Sequence, residues 1–148
     1  MRDKVFVDTN ILIYAYDRAS AEKRKNAAEA VKVLWNQGNG VLSTQVLQEF
    51  YVNVTRKIGH PVSPDRARSI IATYLAWRVE VIRPDHVLQA SEIQERHKIS
   101  FWDAMIVVSA IQSGAAKVLT EDLNHGQLIE GVLVENPFMH QIIPDQRR

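Results

Sequence analysis

The sequence predicts an α/β fold: a central, mostly parallel five-stranded sheet in a three-layer α/β/α sandwich. Two observations carry this expectation. Strand-like and helix-like segments alternate along the chain, and the five strand-like segments are short, apolar and joined by helical connections, which implies parallel strands covered on both faces. No internal repeat, low-complexity tract or interdomain linker interrupts the pattern, so residues 1–148 are expected to form a single domain.

Val5 to Val7 is the first strand, and it ends abruptly in Asp8, Thr9 and Asn10. Ile11 to Tyr16 reads as a short helix and Ala21 to Gln37 as a longer one, with Ala27, Ala30, Val31 and Leu34 on one face and Gly38 and Gly40 as its stop. Val41 to Ser43 is the second strand. Thr44 is then expected to cap a helix to about Lys57, whose apolar face is Val46, Leu47, Phe50, Tyr51 and Val54. Ser63-Pro64-Asp65 opens the next helix with proline in its first turn, and Ile70, Ile71, Tyr74 and Leu75 form its buried stripe. Val79 to Ile82 alternates as the third strand. After Pro84 a helix runs to about Lys98 with Val87, Leu88, Ala90 and Ile93 facing inward, and Ser100 opens another that closes at Gly114. Lys117 to Thr120 and Val132 to Glu135 are the last two strands, separated by a loop with a helical turn near Gln127 to Ile129.

Composition narrows the chemistry. The chain has no cysteine, which excludes disulfides and thiolate metal sites and fits a reducing cytoplasm; any metal must be held by oxygen or imidazole. The longest apolar runs fall far short of a bilayer span, so a soluble protein without membrane association is expected. The net charge of +1 argues by itself against a strongly basic nucleic-acid binder.

Four acids stand out, and each has a purely structural alternative. Asp8 lies at the carboxyl end of a buried strand, where open α/β sheets bind ligands, yet it also suits a helix cap. Asp103 sits in a helix apolar around its circumference, though Ser100 three residues earlier matches a capping box. Asp122 follows a strand, in what also reads as a polar turn. Glu49 falls off its helix's apolar face toward Gln45, Asn53 and Arg56, the usual place of a solvated glutamate. As a set the acids say more. Carboxylates brought to one point repel unless protonated or neutralised, and an all-oxygen donor set suits Mg²⁺ or Mn²⁺, ions that promote phosphodiester chemistry.

Val-Phe-Val-Asp-Thr-Asn-Ile-Leu at 5 to 12, the helical glutamate at 49, Phe-Trp-Asp-Ala at 101 to 104 and Leu-Thr-Glu-Asp at 119 to 122 together resemble the PIN domain, in particular VapC-type toxin ribonucleases. The resemblance covers nearly the whole chain in order. It implies an acidic metal site at Asp8, Glu49, Asp103 and Asp122, with Asn10 and Thr120 as supporting polar residues and Thr9 and Asn10 left to cap the helix. Glu121 competes with Asp122 for the last place, although the family's pattern favours Asp122. The implied activity is a Mg²⁺- or Mn²⁺-dependent endoribonuclease, the toxin of a type II toxin–antitoxin pair, with an RNA substrate, a cognate antitoxin and a homodimer. A groove for the antitoxin is expected at Ile11 to Leu34 with Val46 to Val54.

With those four acids occupied, 18 basic residues face 13 remaining acidic ones, an excess that suits a polyanion. Lys23, Arg24, Lys25, Arg56, Lys57, Arg66 and Arg68 are candidates for phosphate contacts, with solvated helix faces as the alternative. His125 lies near the expected site, while His60, His86, His97 and His140 show no paired ligand spacing. Two rival readings are a PIN-fold module that holds RNA or protein without useful cleavage, and a receiver-type signalling domain. The latter fits poorly because Asp8-Thr9-Asn10 is not an acidic pair.

Overall fold

The structure is a computed structural model that describes residues 3–139, so His140 lies outside the described residues. Its strands are β1 (Lys4–Val7), β2 (Gly40–Ser43), β3 (Arg78–Glu80), β4 (Ala115–Leu119), β5 (Leu128–Ile129) and β6 (Val132–Glu135). Its helices are α1 (Thr9–Tyr14), α2 (Ala21–Gln37), α3 (Thr44–Arg56), α4 (Pro64–Tyr74), α5 (Pro84–His97) and α6 (Phe101–Gln112). The strands form one sheet in the order β3-β2-β1-β4-β6-β5, parallel throughout except for the β5–β6 pair.

That order places the site. From β1 the chain builds outward through β2 to β3, then returns to lay β4 on the other side of β1, so the β1–β4 boundary is the point where the winding reverses. The carboxyl ends of β1 and β4 deliver Asp8 and Thr120 side by side, and the Asp8 amide donates to the Leu119 carbonyl at 2.9 Å. Phe6, Val7, Leu42, Val118 and Val134 are buried along the strands. They meet α6, in which every residue from Ala104 to Ala110 is buried.

Several helix starts follow local capping chemistry. Ser63 accepts from the Arg66 amide with Pro64 next to it, and Ser100 accepts from the Asp103 amide. Other expectations are corrected. Ser43, not Thr44, caps α3 by accepting from the Val46 amide at 3.3 Å, while the Thr44 hydroxyl accepts instead from the Ile82 amide. Asp8 itself caps α1, a role expected of Thr9 and Asn10. Among the described residues there are six strands rather than five. Leu128–Ile129 turns back on Val132–Leu133 through Glu130 and Gly131, both at positive φ (50° and 84°), the backbone of a two-residue hairpin and not of a helical turn.

The inward face of α5 is shifted from the expected one. His86, Ala90 and Ile93 are buried, at helical spacing from the Pro84 start, whereas Val87 and Leu88 are exposed. Leu75 is exposed because α4 ends before it, and the third strand stops at Glu80, short of Ile82. Trp35, Tyr74 and Trp77 stack edge to face or tilted at 5.1–5.4 Å, Tyr74 and Trp77 in the core and Trp35 partly buried against it. A Cβ on Gly40 would come within 2.5 Å of the Trp77 ring, so the first residue of β2 has to be glycine. In the segments 11–34 and 46–54, Ile11, Leu12, Val31, Leu34, Val46, Phe50 and Val54 are core, Ile13, Tyr14, Leu47 and Tyr51 are partly buried, and Val33 and Val52 are exposed.

Candidate metal centre

Three segments distant in sequence bring a carboxylate each to one cleft: Asp8 after β1, Asp103 in the first turn of α6, and Asp122 after β4. One oxygen from each lies within 4.8 Å of the others. The cleft has a volume of about 230 Å³, and Glu49 and Asn10 line it as well. Asp8 is buried, Asp103 half-buried and Asp122 exposed, so the cluster runs from floor to mouth.

Neutral donors hold the acids. Asp8 Oδ1 accepts from the Thr9 amide at 2.7 Å, and Oδ2 accepts from the Thr120 hydroxyl at 2.8 Å. The Asn10 side chain donates from Nδ2 to Asp122 Oδ2 at 2.9 Å and to Asp8 Oδ2 at 3.4 Å. Thr120 Oγ1 in turn accepts from the Asp122 amide, so this one hydroxyl bridges the two strand-end acids. Glu49, from the middle of α3, accepts from the Thr9 hydroxyl at 2.7 Å. It stands on the cleft wall but outside the three-aspartate group. Glu121 points elsewhere: it accepts from Tyr14 at 2.8 Å and pairs with Lys23 at 2.9 Å.

Burial pushes the Asp8 carboxyl up to about 7, against the pull of Thr120 and Thr9, and Asp122 and Asp103 add repulsion. Burial likewise raises Asp103, with Asp122 and Glu49 adding to it and the Ser100 hydroxyl opposing it. No lysine, arginine or histidine lines the cleft among the described residues. Repelling carboxylates supplied with hydroxyl and amide donors but with no cation of the chain's own fit a hard divalent cation, which is bound through oxygen alone.

Of the candidate cations, Lys23 is engaged by Glu121 and Arg68 by Asp65. His125 accepts from the Asn136 amide and does not line the cleft. Residues not anticipated are Gln45, Asn53 and Trp102. Gln45, Glu49 and Asn53 stand four residues apart on α3, so the polar stripe that reads as solvent-facing is a cleft wall. The signal was their regular spacing on a helix whose other face is strongly apolar.

A family model described as PIN domain matches residues 5–128. None of the curated proteins matches the chain. Among solved structures, a toxin–antitoxin complex from Klebsiella pneumoniae is similar with a TM-score of 0.68 at 18% identity, over 91% of this chain and 98% of that one. FitAB bound to an IR36 DNA fragment gives 0.68 at 19% identity, over 93% and 98%. VapC20 of Mycobacterium tuberculosis, a sarcin–ricin loop cleaving toxin, gives 0.60 at 25% identity, over 78% and 87%.

Proposed function

The chain belongs to the PIN domain family, and on that premise we propose that it is a Mg²⁺- or Mn²⁺-dependent endoribonuclease, the toxin of a type II toxin–antitoxin pair. The observation that carries the reading is the convergence of Asp8, Asp103 and Asp122 on one cleft whose lining includes no basic residue among those described. These three would hold the cation, which when bound would supply charge compensation at the scissile phosphate and a more acidic water. Asn10 and Thr120 set the two strand-end carboxylates by hydrogen bonds, so their oxygens are oriented before any ligand arrives. Glu49 anchors one oxygen on Thr9 and keeps the other for orienting a water.

Two of the similar structures are a toxin–antitoxin complex and a sarcin–ricin loop cleaving toxin, which supports RNA as substrate and an antitoxin partner; the proposal also takes the protein to be a homodimer in the cytoplasm. No helix among the described residues is long and apolar enough to cross a membrane.

The test is cleavage of single-stranded and structured RNA by the purified protein with Mg²⁺, Mn²⁺ or EDTA, comparing wild type with Asp8→Ala and Asp103→Ala. Cleavage should need the metal and vanish in both variants. Activity that survives EDTA, or both substitutions, overturns the mechanism. The capping of α1 by Asp8 favours a second reading, a module that binds RNA or protein and uses its acids structurally. It predicts RNA binding without metal-dependent cleavage.

A further inference from the structure

Gln45 is 5% exposed, yet among the described residues neither its Nε2 nor its Oε1 has a hydrogen-bond partner. Leaving two polar atoms of one buried amide unsatisfied is costly, and the chain tolerates it on the wall of the acidic cleft, one helical turn before Glu49. An amide in that state is matched by a group that both donates and accepts. A phosphate oxygen only accepts and leaves Oε1 orphaned; a cation-held water mainly donates and leaves Nε2 orphaned. A sugar hydroxyl satisfies both. Hydrolysis by an activated water makes no chemical use of the ribose 2′-hydroxyl, so choosing RNA over DNA requires a protein group that contacts it.

We propose that Gln45 reads the ribose 2′-hydroxyl of the nucleotide seated in the cleft, donating from Nε2 and accepting at Oε1, and so determines RNA specificity. This rests on the ribonuclease reading above. Gln45 is a specificity residue and takes no part in holding the cation.

The test uses the full chain with Mn²⁺ and three random-sequence 20-mer pools, all-ribose, all-2′-deoxy and all-2′-fluoro, against wild type and Gln45→Met, which keeps length and removes both polar atoms. Wild type should prefer ribose to deoxy by about a hundredfold in kcat/KM, as expected where a buried polar group is left unpaired by the wrong substrate. The 2′-fluoro pool, which accepts but cannot donate, should fall between. In Gln45→Met the ribose rate should drop toward an unchanged deoxy rate. The variant should melt no lower than wild type and bind Mn²⁺ equally by calorimetry, because an apolar side chain replaces an unsatisfied amide. A preference that persists in Gln45→Met overturns the proposal while leaving the ribonuclease reading intact. An equal fall on all pools, or a preference for one base in the sequenced ends that the substitution abolishes, also overturns it. A wild type that cuts no pool overturns both readings together.

Discussion

Asp8 and Glu121 follow neighbouring parallel strands at the same edge of the sheet, and the chain treats them in opposite ways. Glu121 receives a lysine and a tyrosine hydroxyl, and the bond to Glu121 raises the Lys23 ammonium above its ordinary value. Asp8 is the more deeply buried and receives only neutral donors, with two further carboxylates as neighbours. A carboxylate whose task is structural is neutralised by the chain itself. One left buried, repelled and unneutralised fits the proposed role of holding a cation from outside.

The contrast can be broken at several points. The largest effect is expected from Asp122→Asn, which removes one charge and keeps the shape: cleavage should fall by about a thousandfold, of the order lost when a preorganised electrostatic group is removed, measured as single-turnover rates in Mg²⁺. Next is metal-linked stability. Mg²⁺ at about 100 times its dissociation constant should raise the melting temperature of wild type by roughly 5 °C or more at pH 8 and have little effect on Asp8→Asn.

The pH dependence of the metal-free protein sharpens the same point. Because folding raises the Asp8 pKa from 3.8 to about 7, its protonated form favours the fold; that contribution is complete below the unfolded value and is lost as pH rises through the folded one. Wild type in EDTA should therefore lose melting temperature relative to Asp8→Asn between about pH 4 and pH 8, and a parallel pair of curves by calorimetry would contradict this. The smallest effect belongs to the other half of the comparison. Lys23 and Glu121 are 41% and 23% exposed, so Glu121→Gln should cost at most about 1 kcal/mol and change cleavage less than about threefold. A loss as deep as that of Asp122→Asn would return Glu121 to the metal site.

Much of this was legible in the residues, and for identifiable reasons. The Gly38 end of α2 and the Ser63-Pro64 and Ser100 starts are local capping chemistry, decided within a few residues. Asp8 and Asp122 were visible as acids at the carboxyl ends of strands, and Asp103 as a carboxylate in an otherwise apolar helix. Glu49 and Gln45 were harder, because a polar stripe on an amphipathic helix reads the same whether it faces solvent or a cleft wall. The inward face of α5 misled because Val87 and Leu88 are more apolar than His86, and burial there followed helical phase rather than hydropathy. The β5–β6 hairpin escaped because four apolar residues around Glu-Gly carry no periodicity of their own.

By itself the sequence determined the alternation of strands and helices, the absence of thiol chemistry and the identity of the acids, since backbone preference, capping and composition are properties of neighbouring residues. Tertiary structure decided which acids meet. The reversal of winding between β1 and β4 places Asp8 beside Thr120 and Asp122, α6 adds Asp103, and Lys23 draws Glu121 away. Those are contacts between residues about a hundred positions apart, and only the folded chain sets the distances on which charge repulsion and ligand geometry depend.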